Sequence, residues 1–215
     1  MNKGIEFLEG PAGAIEAVVD NPPVAQPKGL VVIAHPQPLL GGSAQHKIPH
    51  FLAKGFAEEG WLVVRPNFRG VGASAGSHDY GEGETQDMLE LIKQFRAKTN
   101  LPLVLVGFSF GAYVQAKVAK VLEELGEPAQ TVCLAGMPYG EVEGGRFYDT
   151  PQGIQNALVI HGELDERVPL KSVFEWATPD NQIVTVVPGA DHFFAGRLPI
   201  LRRLILDFVS SRNKA

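Results

Sequence analysis

Residues 30–34, 61–64, 103–106, 132–135 and 157–160 are uninterrupted apolar runs, and residues 183–187 form a sixth, weaker one. A strand with one wet face alternates apolar and polar residues; continuous runs belong to strands covered on both faces. Segments with helical spacing lie at 48–59, 84–98, 112–125, 170–177 and 199–211. In the second of these, Leu91, Ile92 and Phe95 follow Met88 by 3, 4 and 7 residues, which places all four on one helix face. Strands that alternate with helices need crossover connections, and these are right-handed, so the expected fold is α/β with a mostly parallel, doubly wound sheet. Two short strands, near 5–8 and 14–19, precede the series and bring the sheet to about eight strands. The second of them alternates in part, as an edge strand would.

No internal repeat or low-complexity tract interrupts this order. The Pro-rich segment Asn21-Pro22-Pro23-Val24-Ala25-Gln26-Pro27 reads as a strand-to-strand loop, so residues 1–215 are expected to form a single domain. The net charge is −5 and no basic run or basic–aromatic stripe occurs, which argues against a nucleic-acid partner. No apolar run approaches the ~20 residues that span a bilayer, and the first residues lack the apolar core of a signal peptide. The expected location is therefore cytoplasmic. The one cysteine, Cys133, sits inside an apolar run and reads as a small buried hydrophobe. Nothing in the sequence speaks to oligomeric state.

In an open parallel sheet, ligands bind beyond the carboxyl ends of the strands, so polar residues there are the first candidates for chemistry. The run ending at Val106 continues as Gly107-Phe108-Ser109-Phe110-Gly111 and then into a helical segment. With 24 glycines in the chain, the bare Gly-x-Ser-x-Gly pattern is a modest signal; its position between strand and helix is what gives it weight. A turn that sharp holds the serine in a strained conformation with its hydroxyl above the sheet, and glycines two residues away on each side avoid a backbone clash. Ser109 is the expected nucleophile.

A serine hydroxyl needs a base to take its proton, and the base needs an orienting acid. The chain supplies both, in the order Ser, Asp, His. Asp165 follows the run at 157–160, with Glu163 and Glu166 as competitors; His192 follows the last strand and is the only histidine after Asp165. His35 and His161 end strands and are expected to order loops through hydrogen bonds. His46 and His50 are four apart, but Pro49 disturbs that helical stretch and no glutamate lies between them, so no metal site is expected. No cofactor is called for.

The tetrahedral intermediate needs two N–H donors on its oxyanion. One is expected from the backbone of Phe110, next to the nucleophile. The other should come from His35-Pro36-Gln37-Pro38-Leu39-Leu40-Gly41-Gly42. Prolines have no N–H, so Gln37 is the donor between them, with Leu39 in reserve.

With these residues in view the chain resembles the α/β-hydrolase superfamily over nearly its full length. The resemblance rests on Gly107-Phe108-Ser109-Phe110-Gly111, His161-Gly162-Glu163-Leu164-Asp165, Gly189-Ala190-Asp191-His192, and the loop Asn67-Phe68-Arg69-Gly70-Val71-Gly72-Ala73-Ser74. His35-Pro36-x-Pro38, Gly41-Gly42 and Asn67-Phe68-Arg69-Gly70 are similar to small, lidless bacterial hydrolases related to dienelactone hydrolase. Those enzymes proper carry cysteine at the elbow, where this chain has Ser109, so ester hydrolysis is the better expectation. The resemblance implies a serine hydrolase with a small-molecule ester substrate and no large cap domain, since residues 136–156 are too few for a helical lid. Leu39, Phe108, Tyr139 and Phe193 are the expected substrate contacts; Phe147 and Tyr148, in the same interval as Tyr139, either line the pocket or pack. An amidase or peptidase, or a perhydrolase, would use the same three residues. A non-enzymatic binder on this fold would have no need to keep them together.

Overall fold

The computed structural model describes residues 2–213. A hairpin of β1 (Asn2–Gly10) and β2 (Gly13–Asn21) leads into β3 (Leu30–Ala34), and from there strands and helices alternate. In order come α1 (Lys47–Glu58), β4 (Leu62–Pro66), α2 (Glu82–Lys98), β5 (Leu103–Phe108), α3 (Phe110–Glu124) and β6 (Thr131–Ala135). A two-stranded hairpin, β7 (Gly140–Val142) and β8 (Arg146–Tyr148), precedes β9 (Ala157–Gly162), α4 (Leu170–Ala177), β10 (Val184–Val187) and α5 (Leu198–Arg212). Eight strands form one sheet in the order β1-β2-β4-β3-β5-β6-β9-β10. β2 runs antiparallel to β1 and β4; the other pairings in this sheet are parallel.

The apolar runs are continuous because successive residues serve opposite layers. Leu30, Val32 and Ala34 pack with α2 and α3, whereas Val31 and Ile33 pack with α1 and α5. β5 divides the same way, with Leu103 and Leu105 on the first side and Val104, Val106 and Phe108 on the second. Each fully buried Val or Leu contributes about 1.5–3 kcal/mol relative to exposure, so a polar substitution on either parity is costly. The chain leaves β3 toward β4 and later crosses back to β5 on β3's other side. The crevice where this direction reverses lies at the carboxyl ends of β3 and β5, the place where such sheets bind ligands.

β2 is not an edge strand. It is paired on both sides, and Ala17, Val18, Val19 and Asp20 are all buried. The polar residue of the expected strand, Glu16, is half-buried and accepts from Asn67 Nδ2 and Ala73 N–H, both at 2.8 Å; past the expected end, Arg65 on β4 donates Nε and Nη2 to Asp20 Oδ2 at 2.9 and 2.7 Å. The edge belongs to β1, where Ile5 and Phe7 are exposed. Residues 136–156 hold the β7–β8 hairpin and no helix, so no large cap covers the strand ends. Among the described residues no helix is long and apolar enough to cross a membrane.

Candidate active site

Ser109 stands alone between β5 and α3 with φ 56° and ψ −125°, a left-handed strain that a non-glycine residue keeps only when its surroundings enforce it. They do. A Cβ on Gly107 would lie 2.4 Å from the Gly111 carbonyl oxygen, and one on Gly111 would lie 2.4 Å from the Ala34 oxygen and 2.5 Å from the His35 oxygen. Ser109 N–H donates to Ala135 O at 2.9 Å, which ties the turn to β6. Bare glycines thus let α3 settle directly on β3, and the helix starts immediately behind the serine.

His192 and Asp165, from the loops after β10 and β9, complete a chain of hydrogen bonds. His192 Nε2 is 3.0 Å from Ser109 Oγ, and its Nδ1 is 2.7 Å from Asp165 Oδ2. An ionised carboxylate only accepts, so Nδ1 carries the proton and Nε2 is left to accept from the serine. The Asp165 side chain is fully buried, and its Oδ1 accepts from the N–H groups of Arg167 and Val168 at 3.0 and 2.9 Å. Glu163 is exposed and accepts from Gly189 N–H at 2.8 Å, and Glu166 is exposed as well. A second histidine also meets Asp165: His161 Nε2 donates to Val168 O at 2.9 Å and lies 3.3 Å from Asp165 Oδ2. Burial lowers the pKa of His161, partly offset by the Asp165 charge.

The loop after β3 is held from inside. Gln37 O accepts from Leu40 N–H and Gly42 N–H at 3.1 and 3.0 Å, closing a turn around the 3-10 segment Pro38–Leu40. Gln37 Nε2 donates to Tyr148 Oη at 3.1 Å, and Gln37 Oε1 accepts from Leu39 N–H at 3.3 Å. The Leu39 donor is therefore occupied. Among the described residues the N–H groups of Gln37 and Phe110 meet no acceptor. His35 fixes the base of this loop. Its Nε2 accepts from Phe68 N–H at 3.0 Å and its Nδ1 donates to Pro36 O at 2.7 Å, which joins it to the Arg-Gly loop after β4. Complete burial pushes its pKa down to about 3, so the ring is neutral at pH 7.

A cavity of about 240 Å³ opens above Ser109 and His192. Gln37, Leu40, His46 and Phe193 form part of its wall, and Val142, Arg146 and Tyr148 of the β7–β8 hairpin form another part, with Arg167 and Val168 beside Asp165. Of the four expected contacts, Phe193 lines the cavity. Leu39 points to solvent and its neighbour Leu40 takes the position. Phe108 lies below, its ring centroid 5.2 Å from that of His192, because strand parity sends it to the α1 and α5 side. Tyr139 packs against the other core layer. His46, to which the sequence assigns no role, also lines the cavity. It caps α1 through Nδ1, which accepts from Ile48 N–H at 3.4 Å, and it stacks near Phe108 and Phe193. Among the described residues no group of three or more His, Cys, Asp or Glu is placed to hold a metal ion.

Comparison with known proteins places this geometry. Residues 31–125 match the alpha/beta hydrolase fold family. A lidless α/β serine hydrolase from Xanthomonas campestris is 35% identical with a TM-score of 0.84, over 98% of this chain and 95% of that one. An α/β serine hydrolase homologue from Coxiella burnetii is 33% identical with a TM-score of 0.83, over 96% of this chain and 97% of that one. An uncharacterized protein of Rickettsia prowazekii is 27% identical over 94% of this chain and 87% of its own length. The strand order, the glycine-flanked serine and the cavity without a cap agree with these similarities, and the chain belongs to the α/β-hydrolase superfamily, in its small, lidless form.

Proposed function

We propose that the protein is a serine hydrolase that cleaves small carboxylic esters through an acyl-enzyme, with Ser109, His192 and Asp165 as its catalytic residues. The observation that carries this reading is the unbroken path from Ser109 Oγ through both nitrogens of His192 to the buried Asp165, at 3.0 and 2.7 Å. Ser109 Oγ attacks the ester carbonyl carbon while His192 Nε2 takes its proton. The carbonyl oxygen becomes an oxyanion that accepts from the N–H groups of Phe110 and Gln37. The C–O bond to the alcohol breaks, and His192 returns the proton to the leaving oxygen. Water then attacks the acyl group, giving its proton to His192, and the acid leaves as Ser109 recovers its hydrogen. Asp165 keeps Nδ1–H in place and stabilises the imidazolium.

A small, uncapped cavity supports a short acyl group in preference to a long chain. The test is labelling with a fluorophosphonate probe, wild type beside Ser109→Ala, followed by a p-nitrophenyl ester series. Labelling of wild type alone and turnover of the short members are expected. A folded wild-type protein that takes no label would sink the proposal.

A further inference from the structure

The cavity above Ser109 is charged in one sense. Arg146 and Arg167 line it and, among the described residues, no carboxylate does, in a chain whose formal net charge is −5. The two arginines come from separate elements, β8 and the loop after β9, and Glu143 in the turn between β7 and β8 joins them. Glu143 N–H donates to Arg167 O at 3.0 Å, and the Glu143 carboxylate pairs with Arg167 Nη1 at 3.2 Å. The Glu143 carbonyl accepts from Arg146 Nε and Nη2 at 3.3 and 3.0 Å. Arg167 is also steadied by Phe193, whose ring centroid lies 5.0 Å from its guanidinium carbon.

Glu143 offsets one of the two charges and is not part of the cavity wall, so the wall keeps a net positive charge. A clasp that only fastened the hairpin would be complete with the Arg167–Glu143 pair. Arg146 adds a second guanidinium, and among the described residues it has no carboxylate within salt-bridge reach. The same wall includes Val142 and Val168, which suit methylene groups. A guanidinium binds a carboxylate through paired, charge-assisted hydrogen bonds and does so best when partly shielded from water.

We infer that the cavity selects esters whose acyl chain ends in a carboxylate, the half-esters of short dicarboxylic acids. This rests on the ester-hydrolase reading and narrows it. The ester carbonyl sits at Ser109, the methylenes run along Val142 and Val168, and the terminal carboxylate meets Arg146 and Arg167.

The experiment compares ethyl half-esters of succinic, glutaric, adipic and pimelic acids with ethyl esters of the unbranched monocarboxylic acids of the same carbon number. Rates are followed by pH-stat in wild type, in R146Q and in R146Q/R167Q. At one chain length the half-ester should be preferred in kcat/KM by about tenfold or more. That preference should shrink several-fold in about 0.5 M NaCl, which screens a partly exposed ion pair. It should fall in R146Q and approach unity in the double variant. Should the double variant fail to fold by circular dichroism, the salt series and R146Q decide. A preference that stays below about twofold at every length, or one that survives R146Q and salt, overturns the inference while leaving ester hydrolysis intact. Turnover of neither series overturns the ester-hydrolase reading and this inference with it.

Discussion

His192 Nδ1 lies 2.7 Å from Asp165 Oδ2, while the other oxygen of that carboxylate is already held by two backbone N–H groups. The acid cannot rotate without giving up those bonds. Asp165→Asn should preserve the fold and its position. The Asn oxygen would replace Oδ1 against the N–H groups of Arg167 and Val168, which turns its amide NH₂ toward His192. The ring would then accept at Nδ1 and carry its proton on Nε2, where it faces Ser109 and cannot act as base. The expected loss in kcat on a short ester is about 10⁴-fold, with little change in melting temperature. Retention of more than about a tenth of wild-type kcat would remove Asp165 from its assigned role.

Gln37 is expected to act through its backbone, yet its side chain ties the loop to the β7–β8 hairpin through Tyr148 Oη. Gln37→Ala and Tyr148→Phe each remove one partner of that bond, worth about 0.5–1.5 kcal/mol. Each should lower kcat/KM by about three- to tenfold, far less than Ser109→Ala. Because one bond is lost in both cases, the double variant should be little worse than either single one. Fully additive losses in that cycle would show that the bond does not position the loop.

Much of the candidate site could be read from the sequence because its parts follow strands in a fixed order. Ser109, Asp165 and His192 each come after an apolar run, and the structure brings them to one hydrogen-bonded chain. The cavity wall was less legible. β7 and β8 have three residues each, too few for a period-two pattern to emerge. Tyr148 lines the cavity as one of its two sequence readings has it, but Arg146 joins it there because the two are two apart on β8, with exposed Phe147 between them. Phe108 adjoins Ser109 in sequence, but parity within β5 sends it beneath His192. The partial alternation of β2 comes from Glu16, whose partner Asn67 lies 51 residues away in sequence.

The second elbow glycine is confined by the backbone of a neighbouring strand. A methyl group on Gly111 would press on the carbonyl oxygens of Ala34 and His35, which are backbone and cannot swing aside. Gly111→Ala must lift α3 from β3 and shift Ser109 with it. Overpacking of this kind costs about 1–3 kcal/mol. The expected result is a lower melting temperature together with a kcat loss larger than the stability loss explains. A variant with wild-type stability and kcat would contradict the close approach of α3 to β3.

His35 gives the fold an acid sensitivity with a definite sign. Its folded-state pKa is near 3, against an ordinary value of 6.5, because it is buried and neutral. Between those two pH values the unfolded chain binds a proton that the folded chain does not, so stability falls as pH drops from about 6.5 toward 3. One such group contributes a slope of up to about 1.4 kcal/mol per pH unit, and His161, lowered in the same direction, adds to it. His35→Gln removes the titrating group but loses the bond from Phe68 N–H or the one to Pro36 O. The variant should be less stable than wild type at pH 7.5, by about 1–3 kcal/mol. The gap should narrow on acidification, since the variant's urea midpoint falls less steeply below about pH 6. Parallel midpoint curves for the two proteins would mean that His35 is not held neutral in the fold.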